Sequence, residues 1–144
     1  MNEPLHKKNF QPDATCPLDG IRILDLSRLV SGNMISLQLA DFGAEVIKVE
    51  APDKGDPLRH WDVEGHGTAW KVYGRNKKSM TLNLRAPEGA DILLKLAKDA
   101  DVLIENFRPG TLEKTPFAPD KLRTLNPNLI LVRVSGWGQT GPYK

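Results

Sequence analysis

The apolar residues of this 144-residue chain fall in short runs, and the runs alternate between two periods. "GIRILDLS" clusters Ile21, Ile23, Leu24 and Leu26, which predicts a mostly buried strand over 21–26. "SGNMISLQLADFG" then sets Met34 or Ile35, Gln38 or Leu39, and Phe42 at helical spacing. Ser31 is placed to cap that helix and Gly43 to stop it in a left-handed conformation. "AEVIKVE" follows at once as a second strand, 45–49. Strand, helix and strand with short connections make a βαβ unit, which implies a parallel sheet.

The alternation continues. "SMTLNL" predicts a third strand over 79–84. "APEGADILLKLAKDA" predicts a helix with Pro87 in its first position and Leu93, Leu96, Ala97 and Ala100 on one face. Ala86 holds the cap position, where Ser or Asp would be about 1 kcal/mol better. "DVLIEN" predicts a fourth strand over 101–106, "PDKLRTL" a short helix stopped by Asn126 and Pro127, and "LILVRVS" a fifth strand. Residues 51–78 resist the pattern, being broken by glycines and prolines without a clear period. A long irregular segment in a compact domain is usually functional, so it is expected beside a ligand or a partner chain. Residues 1–18 are polar with three prolines and read as a loose arm, leaving 19–144 as the folded domain.

Composition narrows the classes. Twenty basic and 18 acidic residues leave a net charge of +2, too balanced to argue for nucleic acid or an anionic membrane as partner. The single cysteine, Cys16, has no internal disulfide partner. His6, His60 and His66 match no zinc spacing, so no metal is expected. The first twenty residues contain no apolar core of the signal-peptide kind, and no run approaches the 18 apolar residues of a membrane span. The expectation is a reduced, cytoplasmic, soluble protein.

Several motifs carry chemistry. Gly136, Gly138 and Gly141 form G-x-G-x-x-G directly after the fifth strand. A dinucleotide fingerprint belongs between the first strand and its helix, with an acid about twenty residues on, and neither condition is met. A nicotinamide-binding domain is therefore the weaker alternative, and an active-site loop at a strand's carboxyl end the stronger one. "DFG" at Asp41 to Gly43 lacks the other kinase motifs, and a helix stop explains it. Lys71, Arg75, Lys77, Lys78 and Arg85 form a basic run with no acid between them, which is either a solvated face or a grip on phosphates. "ENFRPG" sits at the carboxyl end of the fourth strand, where ligands of open α/β sheets gather.

Taken in order, "PLDGIRILDLSRLVSG", "LADFGAEVIKVEAP", "GDPLR", "NKKSMTLNL", "PEGADILLKLAKDADVLIENFRPG" and "LNPNLILVRVSGWGQTGPY" resemble the class III CoA-transferase family. That family includes formyl-CoA and carnitine CoA-transferases and the α-methylacyl-CoA racemases. The resemblance runs from about Pro17 to Lys144. It implies a Rossmann-like open parallel sheet with flanking helices, incomplete relative to the family's interlocked dimer, and coenzyme A bound at the carboxyl ends of the strands. It implies acyl-CoA and carboxylic acids as substrates, with CoA moved between acids through an aspartyl acyl-anhydride.

Residue by residue, the resemblance assigns cofactor contacts to Asn106 and Phe107, adenine packing to Leu82, and charge to Arg85 and Lys114. The arginine that the family carries after the second strand is Ala51 here, and the glutamine that closes over formyl-CoA is Val30. No acid present matches the family's catalytic aspartate, so no catalytic residue is assigned and the chain alone is expected to be inactive. The alternatives left open are a racemase segment and a non-catalytic CoA-binding or assembly half of a split enzyme.

Overall fold

A computed structural model describes residues 11, 13–61 and 67–144. Its elements follow in the order β1 (Arg22–Asp25), α1 (Ser31–Asp41), β2 (Glu45–Glu50), a 3-10 turn (Pro57–His60), α2 (Thr68–Tyr73), β3 (Lys77–Thr81), α3 (Pro87–Lys98), β4 (Val102–Glu105), a second 3-10 turn (Leu112–Lys114), α4 (Pro119–Leu125) and β5 (Ile130–Arg133). The five strands form one sheet in the order β3-β2-β1-β4-β5, and every pairing is parallel. This is the open α/β sheet that the sequence implies. The order reverses between β1 and β4, and ligands of open α/β sheets bind beyond the carboxyl ends of the strands at such a point.

Adjacent residues serve opposite faces of the sheet, as the two-residue period requires. Leu24 and Leu103 turn to a core completed by Ala90, Leu93 and Ala97 of α3 and Leu122 of α4. Ile23 and Ile104 turn the other way, toward Ala40 of α1. Gly43 stops α1 at φ 102°, as its position suggests, and Leu18 donates a backbone hydrogen bond to Phe42 at 3.0 Å. Thus the end of the polar arm is tied to the domain; residues 1–10 and 12 lie outside the described residues.

Three readings are corrected. Ser31 is the first helical residue and does not cap α1; the preceding Val30 is itself helical in conformation, and no side chain closes the helix start. The inward face of α1 is Gly32, Asn33, Ser36, Leu37 and Ala40; of the expected positions Ile35 and Leu39 are partly buried against the smaller core, whereas Met34 and Phe42 are exposed. An apolar-period rule overlooks this face because half of it is polar and meets polar groups rising from the sheet. β3 starts at Lys77 and ends at Thr81 instead of spanning 79–84, with Lys77 and Lys78 paired to Val46 and Ile47. Lys78 points to solvent from this edge strand, whereas Lys77 is buried and meets Asp25.

The irregular stretch 51–78 contains ordered structure on both sides of residues 62–66, which lie outside the described residues. What holds it is a buried ionic cluster beneath the carboxyl ends of β1, β2 and β3. Lys48, almost wholly buried, reaches Asp56 at 3.1 Å and Asp25 at 3.4 Å and also donates to the Ser27 carbonyl. Lys77 lies 3.5 Å from Asp25 and donates to the Asn33 carbonyl at 2.9 Å. Asp25 also accepts from the backbone N–H and hydroxyl of Ser27 and from the hydroxyl of Ser36. Glu50 receives both arms of Arg59 at 2.6 and 2.7 Å, the Ser79 hydroxyl at 2.6 Å and the Asp56 N–H at 2.8 Å. Arg59 in turn stacks over Trp70 at 3.9 Å, tying α2 to the 3-10 turn. Three acids and three bases balance, which is the condition under which buried charge is tolerated.

Burial works against ionisation of Glu50, but hydrogen bonds from Arg59, Ser79 and Asp56 outweigh it and bring its pKa down to about 2. A carboxylate with a lowered folded pKa stabilises the fold above its unfolded value and loses that contribution as pH falls. The thermal midpoint should therefore fall as pH is lowered from about 4.5 toward 2, and Glu50→Gln should flatten that slope and be less stable at pH 7; calorimetric melts across the range check both. Gly89, in the first turn of α3, has no room for a side chain: a Cβ there would lie 2.0 Å from the Asn83 carbonyl oxygen. Gly89→Ala should destabilise by roughly 1–3 kcal/mol, despite alanine's better helix propensity, as read by urea unfolding.

Candidate functional site

The loop after β1 stands where the strand order reverses. Asn106, just past β4, clasps the backbone of Arg28 across the gap: its Oδ1 accepts from the Arg28 N–H at 2.8 Å, and its Nδ2 donates to the Arg28 carbonyl at 2.7 Å. One amide hydrogen and one lone-pair direction of Asn106 remain after these two bonds. The next residue, Leu29, sits in the left-handed region at φ 63°, which a leucine rarely adopts. It is held there from both sides. Its N–H donates to buried Asp56 at 3.0 Å, and its carbonyl accepts from buried Asn33. The ionic cluster therefore fixes the loop from below while Asn106 fixes it from beside.

On the other flank, Glu105 is fully buried at the end of β4. It accepts from the Phe107 N–H at 2.7 Å and from Arg133 of β5 at 2.7 Å. Arg133 reaches on to Glu113 at 2.7 Å, and hydrogen bonding to Glu113 is the main reason its pKa is raised. This chain of charges locks the turn after β4 to the 3-10 turn that carries Lys114. Phe107 is half-buried and packs on the larger core. Lys114 is exposed, and its side chain makes no ion pair or hydrogen bond among the described residues.

Leu82 and Arg85 leave the sheet beyond β3. Leu82 is 8% exposed and belongs to the core, and its N–H donates to the Glu50 carbonyl at 2.9 Å. Arg85 is exposed, with its backbone N–H on Asn83 and its side chain unpaired among the described residues. Hence the five residues share one edge in two groups, Leu82 with Arg85 and Asn106 with Phe107 and Lys114. Three strand spacings, about 14 Å, separate the ends of β3 and β4. Only an elongated ligand would span both groups.

The glycine stretch completes this edge beyond β5. A cleft of about 540 Å³ opens between it and the turn after β4, lined by Arg108, Pro109, Gly110, Glu113, Gln139 and Lys144. Ser135 Oγ and Gln139 Nε2 are shielded from solvent without a hydrogen-bond partner among the described residues. The place where a dinucleotide fingerprint would lie, between β1 and α1, holds "SRLVSG" with a single glycine. A second groove, of about 580 Å³, is lined by Leu94 of α3, Pro116 and Asp120, Lys121, Thr124 and Leu125 of α4, with no convergent buried polar group. Among the described residues, no His, Cys, Asp and Glu cluster could hold a metal ion, and no helix is long and apolar enough to cross a membrane.

Sequence reasoning missed the contribution of Arg28. It stands in the first strand-to-helix turn of an open sheet, the position most often used for ligands, but no motif singled it out. The clasp from Asn106 links residues 78 positions apart and could be found only from the fold.

Comparison with known proteins agrees with this architecture. The family description "CoA-transferase family III" matches residues 18–144. The chain is 51% identical over 131 residues to the succinyl-CoA–D-citramalate CoA-transferase of Chloroflexus aurantiacus, covering 89% of this chain and 33% of that protein. It is 47% identical over 133 residues to the beta subunit of that organism's succinyl-CoA–L-malate CoA-transferase, covering 90% of this chain and 33% of the relative. Among solved structures it resembles a CAIB/BAIF family protein from Brucella suis, with 39% identity and a TM-score of 0.83 over 90% of this chain and 36% of that one. The chain thus spans about a third of the length of the curated relatives it matches. On sequence and on fold, it belongs to the CoA-transferase family III.

Proposed function

We propose that this chain forms the CoA-holding part of an enzyme that moves CoA between short dicarboxylic acids. The reading rests on one observation above the others: Asn106, Phe107, Lys114, Leu82 and Arg85 stand along a single carboxyl edge, in a chain that matches the family from residue 18 onward. Relatives named for succinyl-CoA with D-citramalate or L-malate support the choice of acids.

In this reading the nucleotide end of CoA lies along the edge. Arg85 and Lys114, unpaired among the described residues, supply charge-assisted bonds to its phosphates. Leu82 lends the adenine its small exposed margin, and Phe107 offers an apolar flank. Asn106 serves mainly through Arg28, with its remaining hydrogen and lone pair left for the ligand. The glycine stretch after β5 passes beside the reacting thioester.

The chemistry follows from the thioester itself. An attacking carboxylate adds to the acyl carbonyl, the carbon–sulfur bond breaks, and an anhydride and a CoA thiolate result. The thiolate then attacks the enzyme's carbonyl of that anhydride and releases the donor acid, and the acceptor acid reverses the sequence. Asp25 is unsuited to the attacking role, because Lys48, Lys77, Ser27 and Ser36 already surround it in the interior. We place the attacking aspartate in polypeptide corresponding to the relatives' remaining length. The whole enzyme is proposed to be a cytoplasmic, interlocked homodimer, with residues 1–18 as an arm and 19–144 as the CoA-holding domain.

Titration of CoA by calorimetry tests the site. CoA should bind the purified chain and, at a hundredfold excess over Kd, raise its stability by about 2.7 kcal/mol, whereas NADH should not. Arg85→Ala should weaken CoA about tenfold, the scale of one charge-assisted bond. Asn106→Ala should weaken CoA and also lower stability by about 1–3 kcal/mol through loss of its two bonds to Arg28. Stabilisation by NADH alone would sink the reading. Turnover of succinyl-CoA by the 144-residue chain alone would overturn the placement of the nucleophile.

A further inference from the structure

The chain has eight arginines, and they divide sharply. Arg22, Arg59, Arg75, Arg123 and Arg133 are each ion-paired, to Glu45, Glu50, Asp41, Asp120, and Glu105 with Glu113 respectively. Arg28, Arg85 and Arg108 make no ion pair or side-chain hydrogen bond among the described residues. Each of these three follows the carboxyl end of a strand: β1, β3 and β4. All three free guanidinium groups therefore stand on the carboxyl edge, beside Arg59 and Arg133, whose charges are already met by Glu50, Glu105 and Glu113. Such a distribution suits an edge that receives anions from outside the chain.

Arg28 differs from the other two in its place and in its setting. It stands at the point where the strand order reverses, the centre of the edge, whereas Arg85 follows the outermost strand. Both of its backbone polar groups are clasped by Asn106. Its neighbour Leu29 is kept in a costly conformation by buried Asp56 and Asn33. A residue in such a conformation persists only when its surroundings over-determine it. Here the surroundings deliver one exposed cation and, 45% exposed beside it, one apolar side chain, Leu29.

Resting on the reading of this edge as the CoA site, we propose that Arg28 is the specificity residue that binds the free carboxylate of a dicarboxylic acyl group. The guanidinium fork matches a carboxylate through two parallel hydrogen bonds. Leu29 lies against the methylene carbons between that carboxylate and the thioester. The division of labour is spatial. Phosphates are met at Arg85 beyond the outer strand β3 and at Lys114 in the turn after β4, and the acyl terminus is met at β1. A fixed backbone matters here, because a mobile cation would accept any anion and distinguish no chain length.

Calorimetric titration of the purified protein with CoA, succinyl-CoA and butyryl-CoA tests this. The two acyl groups have four carbons each and differ in the terminal carboxylate. The wild type should bind succinyl-CoA about tenfold or more tightly than butyryl-CoA, the scale of one charge-assisted pair. Arg28→Gln should erase that gap, and Arg28→Lys, which keeps the charge but lacks the fork, should retain part of it. Circular dichroism melts should match the wild type, since the side chain is exposed. A gap that survives Arg28→Gln, or no gap in the wild type, overturns the assignment to Arg28 and leaves the CoA site standing. Failure of CoA itself to bind removes the CoA site, and the role of Arg28 with it.

Discussion

The carboxyl edge from β1 to β3 stands on six charges, five of them buried and the sixth, Arg59, 35% exposed. Asp25, Lys48, Lys77, Asp56, Glu50 and Arg59 come from three strands and from the segment after β2. Removing one would leave its partner buried and uncompensated, a cost of several kcal/mol. The cluster therefore does what an apolar core cannot do in the same volume. It sets directions. Hydrogen bonds from Leu29 to Asp56 and from Asn33 to Leu29 fix where the β1–α1 loop points, and the salt bridge of Arg59 to Glu50 fixes where the chain goes after β2. Apolar packing elsewhere gives the sheet its stability, and this polar layer gives its edge a defined shape.

That layer also explains what could be read from the sequence. The strands announced themselves because Ile23, Leu24, Leu103 and Ile104 are apolar on both faces, the signature of a sheet covered on two sides. α3 was legible because Leu93, Leu96, Ala97 and Ala100 fall at helical spacing, and all four meet the larger core. The inward face of α1 was not legible. Asn33 and Ser36 count as polar in any periodicity, yet both are fully buried, because their partners are Asp56 and Asp25. The same blindness put the start of β3 two residues late, since Lys77 reads as an exposed residue and is a buried one at its charged end.

The edge itself was only half visible. The carboxyl-end rule for open sheets directed attention to Asn106 and Phe107, which follow directly on the end of β4. The manner of Asn106's involvement could not be foreseen. Its bonds go to Arg28, across a separation that no local pattern encodes. Leu82 is further inside than its assigned role suggests, because β3 ends early and the chain turns back over the core before α3.

The contrast between sheltered and open charge sets how ionic strength acts on this molecule. Counter-ions screen exposed groups over a distance of about 10 Å at 0.1 M salt and act far less on buried pairs. The charge cluster is neutral and, Arg59 apart, buried, so added electrolyte leaves its frame in place. Arg28, Arg85 and Arg108 face the solution, and their hold on any anion weakens as salt rises. Salt thus loosens what the protein carries before it loosens the protein.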